Sequence, residues 1–182
     1  MAPGGAVETL LRLKDEGVIG HVGLAGGPVD LMLRYVDTGA FEARITHNRY
    51  TLLNRSAEPL IARAIERGMG VCNAAPYGSG MLAKGPDAYA RYAYQDAPPK
   101  LVERARQLDA LCKQSGVPLA AAALQFSTRD PRVTSTIVGM SKPERLEQTI
   151  ELMNVAIPDA IWAELDAVGF DTIDPEADRW NT

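Results

Sequence analysis

The sequence predicts an α/β fold in which parallel strands alternate with helices. Segments with helical spacing of apolar residues alternate with short apolar segments along the 182 residues. The short segments are apolar throughout, which is typical of parallel strands covered on both faces. Each of them ends in small or polar residues and a loop that leads into a helix. Because ligands bind at the carboxyl ends of parallel strands, the loops that begin at Ala25, His47, Asn73 and Gly139 are expected to converge on one site.

The first part of the chain predicts three helices and three strands. Helical spacing predicts helices over 6–16, 29–38 and 57–67, and apolar segments predict strands over 18–25, 41–47 and 69–73. Gly17, Gly39 and Gly68 follow the three helices, and glycine is the usual residue just after a helix end.

The second part begins with a long loop over 74–98, rich in glycine, proline, alanine and tyrosine. A loop of this length in a compact domain is usually functional. Further helices are predicted over 99–115, 118–128, 143–153 and 158–168, and a strand over 133–138. Ser141 and Glu144 have the spacing of a capping box, with Pro143 in the first turn of the helix. The acidic tail from Asp171 is predicted to be peripheral.

Composition excludes several classes of protein. Hydrophobic residues make up 46%, the net charge is −4, and no basic patch recurs, which argues against nucleic acid binding. No apolar run has membrane-spanning length and no signal peptide is recognised, so a cytoplasmic protein is expected. Cys72 and Cys112 are predicted to be buried thiols, and His21 and His47 lie too far apart for zinc-ligand spacing.

The stretch over 68–85 is the strongest candidate for a ligand loop. A short apolar run leads into the turn Gly78-Ser79-Gly80, and Lys84 follows. Consecutive backbone amides in such a turn can bind an anion, and a lysine adds a point charge suited to phosphate. A glycine-rich surface loop after a buried strand explains the same pattern, so the segment alone leaves both interpretations open.

Four segments together resemble the aldo-keto reductase superfamily, and within it the aldose and pyridoxal dehydrogenase branch. They are residues 20–26, 46–55, 68–84 and 133–147, in the order in which the family has them. The resemblance implies a (β/α)8 barrel of the TIM type, of which these segments match the last four strands. Since such a barrel needs about 250 residues, residues 1–182 are expected to form one partial domain, the second half of the barrel. Residues 170–182 are then its C-terminal tail.

The resemblance also implies a nicotinamide dinucleotide, NADP or NAD. The matching residues are Gly78, Ser79, Gly80 and Lys84 for the pyrophosphate, and Gly139, Ser141, Lys142, Arg145 and Gln148 for the adenosine end. NADP is favoured over NAD because Arg145 matches an arginine that commonly contacts the 2′-phosphate, a role that suits a guanidinium. A solvated helix arginine is the alternative.

The nicotinamide end departs from the family pattern. Ala25-Gly26 stands where the family often has Ser-Asn, and His47 stands for a glutamine. Ala74 and Ala75 replace an aromatic residue and a serine. His47 is interpreted either as a hydrogen-bonding group for the cofactor or as a polar residue at a strand end. Tyr77 either stacks on the nicotinamide or forms a lid contact.

The function implied is that of an NAD(P)-dependent oxidoreductase acting on a carbonyl, aldehyde or sugar substrate. The family's Asp-Tyr-Lys-His tetrad belongs to the other half of the barrel, so we assign no catalytic residue and expect a truncated or split form. Strands near Val22 and Ile137 would be open edges. A complementing N-terminal half or a second copy of the chain is therefore expected as a partner. Substrate is expected to bind only when the missing half is present. The alternative is a non-catalytic nucleotide-binding or assembly module formed by half-barrel dimerisation.

Overall fold

The computed structural model describes residues 3–177, which form an α/β fold. The helices are α1 (Ala6–Asp15), α2 (Val29–Asp37), α3 (Glu58–Glu66), α4 (Met81–Lys84), α5 (Pro99–Gln114), α6 (Leu119–Thr128), α7 (Glu144–Asn154) and α8 (Asp159–Ala167). The strands are β1 (Gly23–Ala25), β2 (Ala43–His47), β3 (Gly70–Ala74), β4 (Arg91–Tyr92), β5 (Gln95–Asp96) and β6 (Ser135–Ile137).

Four strands form a parallel sheet in the order β1-β2-β3-β6, as the sequence predicts. Within the described residues, β1 and β6 are its two edges. In residues 3–177, one face of the sheet is buried and the other is exposed. Val71 and Asn73 are fully buried on that face, whereas Ile45 and Ile137 on the opposite face are 37% and 41% exposed. The expectation of two covered faces is wrong for this chain, because the described helices pack on one side of the sheet.

The core lies between the sheet and this helix layer. Leu60 and Ile61 of α3, Leu108 of α5 and Leu124 of α6 are almost fully buried. Each such side chain contributes roughly 1.5–3 kcal/mol through the burial of apolar surface. Asn73 adds a polar link, since its side-chain amide donates to the Tyr50 carbonyl and to the Ser127 hydroxyl, both at 2.8 Å.

Three local predictions differ from the structure. The strand predicted over 18–25 is shorter, because Val18 is 66% exposed and only Gly23–Ala25 pairs with β2. The capping box is wrong: α7 begins at Glu144 with Pro143 at its N-cap, so Ser141 lies too far from the first turn to cap it. Cys112 is buried as predicted, but Cys72 is only half-buried because it lies on the open face of the sheet.

The predicted loop over 74–98 contains short regular elements. A 3-10 turn over Gly78–Gly80 leads into α4, and β4 pairs with β5 in a small antiparallel hairpin. Elements of two to four residues have no periodicity that a sequence pattern can reveal. This segment folds over the carboxyl end of β3.

The described part of the C-terminal tail packs against the chain, although the sequence predicts a peripheral tail. Asp171 pairs with Asn54 and exchanges backbone hydrogen bonds with Leu53 and Arg55. Glu176 is only 5% exposed. The remainder of the predicted tail, 178–182, lies outside the described residues.

A charged cluster under α3 gives a test of the packing through its pH dependence. Burial opposes ionisation of Asp130, but hydrogen bonds from Arg132 and Tyr50 outweigh it and lower the pKa of Asp130 to about 2. The folded-state pKa is below the unfolded value, so the stabilisation is present above about pH 4 and is lost as pH falls toward 2. We expect Asp130→Asn to lower the free energy of unfolding by about 2 kcal/mol at pH 7. In urea titrations the gap from the parent chain should shrink as pH falls from 4 toward 2, and a gap independent of pH would contradict this account.

Candidate functional site

A cavity of about 630 Å³ opens at the carboxyl end of β6, between α4, α6 and α7. Its walls come from the loop after β3, the loop after β6, the outer part of α7 and the start of α6. The lining residues are Tyr77, Gly80, Ala83, Lys84, Pro118, Ala120, Val138, Gly139, Met140, Ser141, Arg145, Gln148, Thr149, Glu151, Leu152 and Val155. The cavity therefore lies where two of the four predicted strand-end loops meet.

Seven of the predicted site residues line this one cavity. They are Tyr77, Gly80, Lys84, Gly139, Ser141, Arg145 and Gln148. Four others do not line it. Gly78 is buried, Ser79 is turned toward β2, Lys142 is exposed outside the cavity, and His47 lies at the end of β2.

Two cations stand at the cavity without a carboxylate partner. Neither Lys84 nor Arg145 forms an ion pair with any residue in 3–177, and both are exposed. The Lys84 ammonium lies 3.7 Å from the centre of the Tyr89 ring, a cation–π contact that holds the side chain in place. Glu151 is the one acidic side chain in the lining. The balance of charge at the cavity favours an anionic ligand.

Tyr77 lines the same cavity, and its hydroxyl is buried. Burial raises the pKa of Tyr77, although the nearby Thr149 hydroxyl acts in the opposite direction. The Tyr77 hydroxyl forms no hydrogen bond of good geometry within the described part of the chain, and Thr149 donates instead to the Arg145 carbonyl at 2.7 Å. Tyr77 thus keeps its proton at neutral pH, and its hydroxyl is buried within the cavity wall.

The turn at Ser79 is fastened to the end of β2. The Ser79 hydroxyl donates to the Asn48 side-chain oxygen at 3.2 Å and accepts from the Ala93 amide at 2.8 Å. The Tyr92 hydroxyl donates to the Asn48 carbonyl. Because the Ser79 side chain is engaged in this way, its predicted contribution to pyrophosphate binding is limited to its backbone.

Backbone strain occurs in the loops after β2 and β3 and in the turn between β4 and β5. The non-glycine residues with positive φ among the described residues are Asn48, Ala75, Ser79, Ala93 and Tyr94. Each such conformation costs on the order of 1–3 kcal/mol and persists only where surrounding contacts hold it. None of the five lines the cavity beside β6, but Ala75 and Ser79 lie in the loop after β3 that forms one of its walls.

Gly78 is required by both conformation and space. Its φ is +54°, and an added Cβ would lie 2.8 Å from the Tyr92 ring. Gly116 has a similar φ of +66° with nothing within 4 Å of its Cβ position, so it is a control for strain alone. We expect Gly78→Ala to cost about 1–3 kcal/mol more than Gly116→Ala in urea unfolding. Equal costs for the two variants would show that the contact with Tyr92 does not constrain the loop.

His47 is held by residues that the sequence analysis did not identify. Its Nε2 lies 3.1 Å from the carboxylate of Glu176, and its ring centre lies 6.2 Å from that of Tyr94. Arg49 binds the same carboxylate at 2.9 Å. The long separation between His47 and Glu176 left no local pattern that could have revealed this contact.

Other classes of site are not found in the described residues. No group of three or more histidine, cysteine or acidic side chains in residues 3–177 could hold a metal ion. Across the same residues, no helix has both the length and the apolar character needed to cross a membrane.

Comparison with known proteins identifies the family. The model of the Aldo/keto reductase family matches residues 5–169. The chain belongs to this family. It is 33% identical over 167 residues to D-threo-aldose 1-dehydrogenase from Pseudomonas sp, covering 91% of this chain and 51% of that protein. It is 30% identical over 167 residues to pyridoxal 4-dehydrogenase from Microbacterium luteolum, covering 91% and 49%.

Solved structures of aldo/keto reductases share the fold. The holo form of aldo-keto reductase AKR11C1 from Bacillus halodurans has a TM-score of 0.75 at 18% identity, over 94% of this chain and 57% of that one. The chain thus spans about half the length of the curated relatives it matches. The predicted resemblance to the aldo-keto reductase superfamily and the predicted parallel α/β fold are confirmed. Members of the family are oxidoreductases that use nicotinamide cofactors.

Proposed function

We propose that this chain binds a nicotinamide dinucleotide in the cavity beside β6, as the cofactor-binding part of an NAD(P)-dependent oxidoreductase. The substrate class proposed is a carbonyl compound, an aldehyde or a sugar. The observation that carries the proposal is the meeting of seven predicted residues around one cavity with two unpaired cations. A cytoplasmic location is part of the proposal.

The residues of the cavity fit the anionic parts of such a cofactor. Lys84, fixed over Tyr89, is placed to bind a pyrophosphate oxygen, and Gly80 gives that group close access to the backbone. Arg145 is assigned to the 2′-phosphate, so NADP is proposed rather than NAD. Ser141 and Gln148 are assigned to the adenosine. Lys142, Gly78 and Ser79 are proposed to act from outside the cavity wall, through charge and loop conformation.

When bound, the nicotinamide supplies or accepts a hydride. This chain's own residues hold and orient the dinucleotide: the α6 and α7 side chains exclude water from one side, and Tyr77 forms part of the cavity wall. Carbonyl reduction also requires a proton donor beside the carbonyl oxygen. We assign that role to no residue of this chain and propose that it comes from the complementing half of the barrel.

We further propose that residues 1–182 form a single partial domain, the second half of a (β/α)8 barrel with 170–182 as its tail. An apolar stripe on α7, formed by Leu146, Ile150 and Met153, indicates that a partner covers this helix. The three side chains are 54%, 51% and 49% exposed, and no residue of α7 is buried. The total accessible surface is 9952 Å². A compact monomer of this mass exposes about 8,600 Å². The excess exceeds the roughly 800 Å² per partner that a standard interface buries.

The complement is an N-terminal half barrel or a second copy of the chain. A non-catalytic assembly module formed by two copies is the second candidate function, and the open edges of the sheet are the observation that favours it. Mixing the chain with an N-terminal half from a relative distinguishes the two. A hydride-transfer activity that appears only in the mixture supports the oxidoreductase, whereas two copies that associate and exclude the added half support the module.

Mapping of amide chemical shifts tests the proposed site. Addition of NADP to the isotopically labelled chain should shift the amides of Gly80, Gly139 and Arg145. The amide of Leu108, in the core of α5, serves as the control and should not move. Shifts confined to another part of the molecule would contradict the assignment.

A further inference from the structure

A buried ionic cluster joins the C-terminal tail to the end of β2. It consists of His47 and Arg49 from the β2 end and Asp174 and Glu176 from the tail. The Arg49 and Glu176 side chains are only 3% and 4% exposed, and that of His47 is 27% exposed. Charges this deeply buried persist only when they are paired and hydrogen-bonded.

Asp174 fixes the tail in this place. One of its oxygens accepts from Arg49 Nε at 2.9 Å and from the Glu176 amide at 3.0 Å, and the other accepts from the Val29 amide at 3.2 Å. Val29 is the first residue of α2. These contacts bind the tail to two elements of the domain independently of the Glu176 side chain. The Glu176 carboxylate therefore has a defined position.

The contacts of Glu176 determine where the imidazole proton lies. Its Oε2 lies 3.1 Å from His47 Nε2 and 2.9 Å from Arg49 Nη1. An ionised carboxylate only accepts hydrogen bonds, so Nε2 must carry the proton. Burial lowers the pKa of His47, and this outweighs the opposite effect of Glu176, so the ring is neutral at neutral pH. Nδ1 is then a hydrogen-bond acceptor, and no residue in 3–177 donates to it.

His47 lies near the cavity and on the open face of the sheet. It pairs in register with Ala74, which pairs with Ile137, and Val138 and Gly139 after Ile137 line the cavity. Two strand spacings of about 4.8 Å separate His47 from β6. Ala74 presents only a methyl group. His47 is therefore a polar side chain at the strand ends that a ligand extending from the cavity across the end of β3 can meet.

We propose that Glu176 is a positioning residue for His47. By holding the Nε2–H tautomer it presents Nδ1 as an acceptor for an amide N–H donor, the chemistry of the carboxamide at the nicotinamide end of the cofactor. This inference rests on the proposed function. The contact between Glu176 and His47 makes the C-terminal tail part of the site. A glutamine at position 47 would not need this contact, because an amide has no tautomer to fix.

The tautomer is tested by NMR on the full chain with ¹⁵N-labelled histidine. Long-range ¹H–¹⁵N spectra at pH 7.5 should show one neutral Nε2–H tautomer for His47, with Nδ1 unprotonated, and a tautomer mixture in Glu176→Ala. Glu176→Gln retains an acceptor and should restore the single tautomer. Glu164→Ala, at an exposed position on α8, is the matched control and should leave the spectrum unchanged. A mixture in the parent chain would overturn the proposal.

Ligand affinities distinguish a positioning role of Glu176 from a purely structural role. NADP and 2′-phospho-ADP-ribose share every group except the nicotinamide, so the ratio of their affinities isolates that end. We expect NADP to bind roughly threefold to tenfold more tightly, from one neutral hydrogen bond. Glu176→Ala should abolish this ratio and leave 2′-phospho-ADP-ribose binding unchanged.

Failure of the proposed function and failure of this inference give different results. If 2′-phospho-ADP-ribose does not bind the parent chain, both are overturned. If it binds but the ratio is the same in Glu176→Ala, only the inference is overturned. If Glu176→Ala weakens both ligands equally, Glu176 acts on the fold rather than on His47, and the positioning role is also overturned.

Discussion

Replacing Arg145 by alanine is expected to weaken NADPH binding by roughly tenfold to a hundredfold, because a hydrogen-bonded charge pair contributes about 1.5–3 kcal/mol. Arg145 is exposed at the cavity and has no acidic partner among the described residues, so nothing competes with a phosphate for its guanidinium. NADH lacks the 2′-phosphate, so its affinity should change less than about twofold. Fluorescence titrations with the two cofactors measure both effects.

Two further variants sharpen this test. Arg145→Lys keeps the positive charge but not the planar bidentate geometry, so its NADPH affinity should lie between those of the parent chain and Arg145→Ala. Arg34→Ala removes an exposed arginine on α2, away from the cavity, and should leave both affinities unchanged. If Arg145→Ala lowered NADH and NADPH affinity equally, Arg145 would not contact the 2′-phosphate.

A charge on the α7 stripe is expected to abolish association of the chain. Ile150 is at the centre of the stripe and is 51% exposed, so Ile150→Glu should cost the fold less than about 0.5 kcal/mol. The same carboxylate would have to be desolvated in an interface, which should weaken association at least a hundredfold. Sedimentation at micromolar concentration should then give complexes larger than 19.6 kDa for the parent chain and a monomer for Ile150→Glu.

The control for this experiment is Ile65→Glu. Ile65 is 41% exposed on α3, which lies over the middle of the sheet rather than at an edge. Its substitution adds the same charge at similar exposure and should leave association unchanged. A parent chain that remains a sharp monomer and unfolds in one transition at high temperature would contradict the proposed complement.

The sequence predicted part of the geometry of the candidate site, because loops at the ends of neighbouring parallel strands lie close together. The order of strands predicted that the loops after β3 and β6 come together, and Lys84 and Gly139 from these loops line one cavity. That part of the site is carried by main-chain topology, which the alternation of helices and strands reveals. Arg145, which also lines the cavity, was predicted from the family resemblance.

The remaining features depend on contacts that no local pattern contains. Ser79 was assigned to a phosphate, but its hydroxyl is used by Asn48 and Ala93. Glu176 was placed in a peripheral tail, but its carboxylate is buried against His47. In both cases the partner is distant in sequence, so the pairing exists only in the folded chain.

Titration of the purified chain with NADPH is the measurement that tests the central claim most directly. The claim is that the cavity beside β6, with its unpaired Lys84 and Arg145, is a usable dinucleotide site. Isothermal calorimetry should give saturable binding of one NADPH per chain with a dissociation constant below about 100 μM, equivalent to roughly 5.5 kcal/mol. Absence of binding at millimolar NADPH would contradict the account.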